Sequence, residues 1–195
     1  MKKILFATMV LSLALLSCGK DSVTPDAPTG DLKVGTKWVY RYTDLNENGT
    51  VAATQDYTIT VTAQQTLGTQ VWWVISNGTA SALIRKAADG WHSFKNSADQ
   101  LEFKVPAVLN DTWRVTFSSS AGDYEDYTVK TLAQSVTVPF GTVACYYSEG
   151  FDSNSLEDKK WYNELNILIK HEEYDQNAAG TLYVDYKEEL VSYTP

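Results

Sequence analysis

Trp38-Val39-Tyr40-Arg41-Tyr42 alternates three aromatic rings with two residues of another kind. Successive side chains of a β-strand point to opposite faces, so Trp38, Tyr40 and Tyr42 share one side. Alternation of this sort marks a half-buried strand. Tyr57-Thr58-Ile59-Thr60-Val61 repeats it with the threonines outward, and Val71-Trp72-Trp73-Val74-Ile75 is apolar on both faces, which predicts a central strand. Further short runs lie at 82–86, 91–95, 101–104, 113–117, 127–132, 135–138, 142–147, 160–162, 167–174 and 181–191. Asn48-Gly49, Asn77-Gly78, Asp89-Gly90 and Gly122-Asp123 supply turns between them, because these residues tolerate positive φ. No window has a sustained helical period; 187–190 reads either as a brief helical turn or as more strand. The expected fold is all-β, a single antiparallel domain over 32–195, closed as a partly open barrel or stacked as a sandwich.

A faint internal repeat runs through this domain. Asp56-Tyr57-Thr58 and Ala63-Gln64 recur seventy positions later as Asp126-Tyr127-Thr128 and Ala133-Gln134. An aromatic strand precedes each copy, Trp38-x-Tyr40-x-Tyr42 and Trp113-x-Val115-x-Phe117. Gly68-Thr69 and Gly141-Thr142 follow, and Leu83-Ile84-Arg85 is echoed by Leu168-Ile169-Lys170. The pattern predicts two related β-meanders, 32–105 and 106–195, closing one core.

The first residues give an address. Met1-Lys2-Lys3 is basic, 4–16 is almost wholly apolar, and Leu15-Leu16-Ser17-Cys18 ends the segment. That order is the layout of a secretory signal, and the stretch is too short to span a bilayer, which takes about 20 apolar residues. Its end resembles the lipobox of bacterial lipoproteins. The resemblance implies that 1–17 is a signal peptide removed in the mature protein, that Cys18 carries lipid, and that the membrane is a partner through this anchor. Residues 18–31 are polar, with two prolines, and read as a flexible tether. Gly19-Lys20-Asp21 lacks an aspartate directly after the cysteine, which favours an outer-membrane address.

The second half resembles a family of β-rich bacterial lipoproteins of unassigned function. Val138-Pro139-Phe140-Gly141-Thr142-Val143-Ala144-Cys145 is similar to that family's VPAGTFxC segment. Trp161-Tyr162, Ile167-Leu168-Ile169-Lys170 and Glu189-Leu190-Val191-Ser192-Tyr193 stand where the family has a Trp-Tyr pair, an apolar strand and its closing segment. The resemblance implies an antiparallel β fold and an envelope location, with no active site to transfer.

Composition narrows the function. Without Lys2 and Lys3 the 16 cations fall to 14 against 24 acids, a net charge of −10. Nucleic acid would be repelled by such a chain. Cys145, in an apolar run, reads as a small buried hydrophobe. His92 and His171 are the two imidazoles, with no metal-ligand spacing, and no Gly-x-Ser-x-Gly or His-Glu-x-x-His occurs. An enzyme is disfavoured. Asp44, Asn46 and Asn48 match the odd-numbered ligands of a calcium loop, but its twelfth position is Gln55, so the stretch reads as a hairpin turn with a weak calcium site as the alternative. No other cofactor is expected.

The surplus is aromatic: six tryptophans, twelve tyrosines and six phenylalanines. Trp72 and Trp73 must point to opposite faces, so one is core and the other is covered by a second layer or exposed. Trp72, Trp73, Trp91, Trp161 and Tyr162 are the candidate ligand contacts. The expected function is a non-catalytic envelope protein holding a small apolar ligand in its barrel or sandwich. An accessory role, binding glycan or another envelope protein through exposed aromatics, is the second reading. An envelope hydrolase with an unrecognised site is the third.

Overall fold

The computed structural model describes residues 32–117, 123–165 and 167–195. The signal segment 1–17, Cys18, the tether and Gly122 lie outside the described residues. Among the described residues twelve strands form: β1 (Lys37–Leu45), β2 (Val51–Leu67), β3 (Gln70–Ser76), β4 (Ser81–Ala87), β5 (Gly90–Lys95) and β6 (Ala98–Lys104) in the first half. β7 (Thr112–Thr116), β8 (Tyr124–Val138), β9 (Gly141–Asp152), β10 (Ser155–Tyr162), β11 (Leu168–Gln176) and β12 (Leu182–Thr194) make the second.

All twelve belong to one antiparallel sheet in the order β6-β5-β4-β3-β2-β1-β12-β11-β10-β9-β8-β7. Each half is thus a six-stranded meander, and the β1·β12 ladder joins them. The sheet curls until its edge strands β6 and β7 meet. Side chains close that seam instead of a ladder: the Trp113 indole N–H donates to the Glu102 carbonyl at 3.0 Å, and the Thr116 amide donates to Gln100 Oε1 at 2.9 Å. The partly open barrel is the form adopted; the sandwich is not, since there is one sheet.

Two elements differ from the sequence expectation. The runs 127–132 and 135–138 are a single strand, β8, whose register against β9 slips between Val129 and Thr131 and between Thr131 and Gln134. Such bulges bend a strand without ending its pairing. Their effect shows in β9, where the buried positions pass from Val143 and Cys145 to Ser148 and Gly150, a change of parity. The bent hairpin lays its tip against β12: the Phe140 amide donates to the Leu190 carbonyl at 2.9 Å. Val136, Val138, Val143 and Cys145 thereby join Trp38, Tyr40, Ile169 and Leu190 in the main core. Residues 187–190, for their part, continue strand β12.

The repeat has a structural counterpart, shifted by two residues from the sequence match. Tyr40 faces Tyr57 across β1 and β2, and Trp113 faces Tyr127 across β7 and β8. Both pairs stack, with centroids 5.7 Å and 5.2 Å apart. The next residues pair as well: Arg41 grips Asp56 and Arg114 grips Asp126, each through two parallel hydrogen bonds. So Tyr40, not Trp38, is the counterpart of Trp113. The ion pairs are solvent-exposed on both sides and add little stability. The last echo fails, because Leu83-Ile84-Arg85 lies in the fourth strand of its half and Leu168-Ile169-Lys170 in the fifth.

Candidate functional site

Inside the barrel, a cavity of about 310 Å³ is enclosed mainly by the first meander, with Leu168 and Glu188 contributed by the second. The alternation that opened the chain places Trp38 and Tyr40 in its wall, and the same parity in β2 adds Tyr57 and Ile59. Ile75, Ala82 and Ile84 follow from β3 and β4, with Trp91 and Phe103 from β5 and β6. Four polar groups interrupt this apolar lining beside His92. Glu188 accepts a hydrogen bond from the Tyr57 hydroxyl at 2.7 Å. Glu102 accepts from Ser93 and lies 2.8 Å from Lys95 Nζ.

Glu188 also belongs to a buried charge cluster that the sequence reading missed. His171 reaches it from β11, with Nδ1 3.6 Å from Glu188 Oε2 and Nε2 3.5 Å from Asp158 Oδ2; these are ion-pair distances. Lys160 Nζ sits 2.7 Å from Asp158 Oδ2 and donates to the Tyr127 hydroxyl. That hydroxyl contacts both Asp158 and Glu125 at 2.5 Å. The two repeat tyrosines, Tyr57 and Tyr127, therefore end on opposite sides of one cluster centred on His171.

The charges balance. Burial opposes ionisation of Asp158, but Lys160 and His171 outweigh it and hold its pKa below the usual carboxylate range. Burial likewise opposes charge on Glu188 and on His171. His171 and Tyr57 nonetheless hold the Glu188 carboxyl low, while Asp158 and Glu188 hold the imidazole high. Glu125 goes the other way: burial, then the negative charge of Asp158, raises it to about 7. A phenol carries one hydrogen, so Tyr127 cannot donate to two carboxylates at once. A neutral Glu125 resolves this by donating its own proton to the phenol oxygen. With Glu125 neutral, two anions meet two cations, as buried charge requires.

Gly150 makes the room. A Cβ there would come within 2.8 Å of Asp158 Oδ1 and of the Tyr127 ring, and 2.9 Å from Glu125. Glycine at this point is a close-approach requirement and not a turn signal.

This arrangement fixes a pH dependence. Glu125 has a folded pKa above its unfolded value, so the unfolded chain ionises first and stability falls as pH rises from about 4.5 to about 7. Asp158 and Glu188 act oppositely: their contribution is present above the ordinary carboxylate range and is lost on acidification. Glu125→Gln keeps a donor for Tyr127 but cannot ionise. His171, also raised, adds a fall of its own above its ordinary value, so chemical denaturation across pH 4–8 should show a steeper fall in the wild type than in the variant; parallel curves would refute the assignment.

The aromatic candidates separate. Trp91 lines the cavity. Trp73 packs against the main core, whereas Trp72, on the other face and 2 % exposed, is covered by the Arg85 guanidinium at 5.1 Å and the edge of Phe94 at 5.6 Å. Trp161 is buried, stacked on Tyr147 at 4.9 Å, with its indole N–H given to Gln134. Tyr162 is fully buried between Phe103 of β6 and Tyr146 of β9. None of these four buried rings, Trp72, Trp91, Trp161 or Tyr162, presents a face to solvent.

The remaining candidates serve the framework. Asn46 donates to Thr50 and Asn48 accepts from it, so both side chains close the β1–β2 turn, where Gly49 takes φ +77°. Among the described residues, no three His, Cys, Asp or Glu side chains converge as a metal site. His92 has both ring nitrogens against carboxylates, 2.7 Å from Asp99 and 3.0 Å from Asp89. Cys145 is buried, and burial pushes its thiol up to about 12. The signal that marked the charge cluster was parity: Asp158, Lys160 and Tyr162 alternate on one face of β10, so two charges share the side of a core tyrosine.

No protein-family model matches the chain, and no curated protein matches it. Among solved structures, it is similar to a candidate exported protein of Bacteroides fragilis with a YmcC-like fold, at 11% identity and a TM-score of 0.47. The match covers 84% of this chain and 97% of that one.

Proposed function

We propose that this chain is a lipid-anchored protein of the cell envelope that holds one small apolar ligand inside its barrel and performs no reaction on it. The cavity carries the proposal. Its volume sits at the lower end of the roughly 300–1,000 Å³ of small-molecule sites, and its lining is apolar with few polar groups, the usual make-up of such sites. The lipobox-like Leu15-Leu16-Ser17-Cys18 supports lipidation at Cys18, Gly19 in place of an aspartate directly after it supports an outer-membrane address, and 18–31 is the tether.

Two observations weigh against the other readings. A glycan or partner protein stacking on exposed rings finds Trp72, Trp91, Trp161 and Tyr162 buried. A hydrolase with a histidine base needs a neutral imidazole to take a proton from its nucleophile; His92 has both nitrogens bonded to carboxylates, and His171 is held toward its charged form by Asp158 and Glu188.

Ala82 supplies the test, since it is exposed yet lines the cavity, and a strand accommodates tryptophan. Calorimetric titration with naphthalene should show saturable one-to-one binding with negative ΔCp. Ala82→Trp should abolish it at unchanged melting temperature. Equal binding by both proteins, or by neither, would overturn the proposal.

A further inference from the structure

Two cavity residues carry a polar group with nowhere to turn. Trp38 and Trp91 are each 6 % exposed, and each has a buried indole N–H that finds no acceptor among the described residues. The other buried orphans are of a different kind. Ser148, Tyr162 and Tyr193 carry hydroxyls, which rotate and also accept, and Asp158 Oδ1 and His171 Nε2 belong to the charge cluster. An indole N–H only donates, in a direction fixed by its ring. Each carboxylate of the wall, in contrast, already takes a donor: Glu188 from Tyr57, and Glu102 through Oε1 from Ser93 and Lys95. Buried donors left unmade are rare enough to call for a reason.

The carboxylates of the wall are also paired. Glu188 faces His171 and Glu102 faces Lys95, so neither offers a free charge to an ion. An unpaired ion moved from water into such a space is heavily penalised.

From the surplus of donors and the balanced charge we infer that the ligand is a neutral molecule with an apolar body and a carbonyl-type acceptor, such as an acyl ester, which takes the indole N–H groups of Trp38 and Trp91. This rests on the proposed binding role and names the ligand's chemistry. Taking the liquid volume of one water, about 30 Å³, as the share of one heavy atom, the cavity holds roughly ten. Methyl octanoate, decane, octanoate and octylammonium are probes of that size.

Titrated into the full-length protein, methyl octanoate should bind at least about tenfold more tightly than decane, with octanoate and octylammonium weaker than the ester. The ester carbonyl stretch should move to lower frequency on binding, a readout that needs no variant. Trp38→Phe and Trp91→Phe keep ring bulk and remove the donors, so together they should erase the preference for the ester while leaving decane affinity unchanged. Equal binding of ester and alkane, an unmoved carbonyl stretch, a preference that survives both substitutions, or octanoate binding tightest would each overturn the inference while leaving the carrier reading intact. Binding of none of the four would overturn both.

Discussion

Asp158→Ala should be the most damaging single substitution in this protein, costing about 3–5 kcal/mol. Asp158 is 4 % exposed and is the anion shared by Lys160, His171 and Tyr127. Its removal leaves two buried cations, Lys160 and His171, facing one anion, Glu188. In a domain of this size each kcal/mol shifts the melting temperature by about 2–4 °C, so thermal unfolding should begin roughly 10 °C lower. Asp158→Asn keeps the volume and loses the charge, so it should also fall, by a smaller amount. An Asp158→Ala protein melting within about 2 °C of the wild type would mean that the cluster is hydrated and unimportant to folding.

Trp113→Ala should follow closely, at about 3–5 kcal/mol, the usual cost of truncating a buried aromatic. Trp113 fills the smaller core with Val115, Tyr127 and Val129, stacks on Tyr127, and ties β7 to β6 through its indole. Losing it therefore loosens the charge cluster and opens the seam. Trp113→Phe separates the two effects. It keeps most of the ring packing and removes only the bond to Glu102, so about 1 kcal/mol is expected. Hydrogen exchange should then report faster opening at β6 and β7 while the β1·β12 ladder stays protected. Equal losses for Ala and Phe would mean that the seam bond, and not the core, holds this end together.

The strands were legible because β-sheet chemistry is local. Alternation in 38–42 and 57–61 needs only neighbouring residues to be read, and the Asn-Gly pairs mark turns by backbone preference alone. The bend in β8 was not legible. Leu132-Ala133 resembles an ordinary interruption, and whether a strand ends or bulges there depends on the partner β9. The pairing that joins the two halves was also beyond reach, since the β1·β12 ladder brings together residues at opposite ends of the domain.

The site was half visible. Trp91 was marked for its aromatic surface and does line the cavity. Trp161 and Tyr162 carried the same mark and became packing, because a ring's exposure is set by what lies across the sheet. His171 has no ligand spacing to mark it, and nothing near it in sequence reveals that Asp158 and Glu188 converge on it from β10 and β12. Gly150 was the least legible, since the need for a missing side chain appears only once Asp158, Tyr127 and Glu125 are in place around it.

The central claim is that the barrel interior carries a ligand, and mass spectrometry of the full-length protein extracted from its own membrane tests it most directly. Under native conditions the protein should be heavier than under denaturing conditions by the mass of one neutral molecule, while any covalent lipid stays in both spectra. Ala82→Trp should lose that difference. Identical native and denatured masses in the wild type, together with no saturable naphthalene binding, would contradict the account.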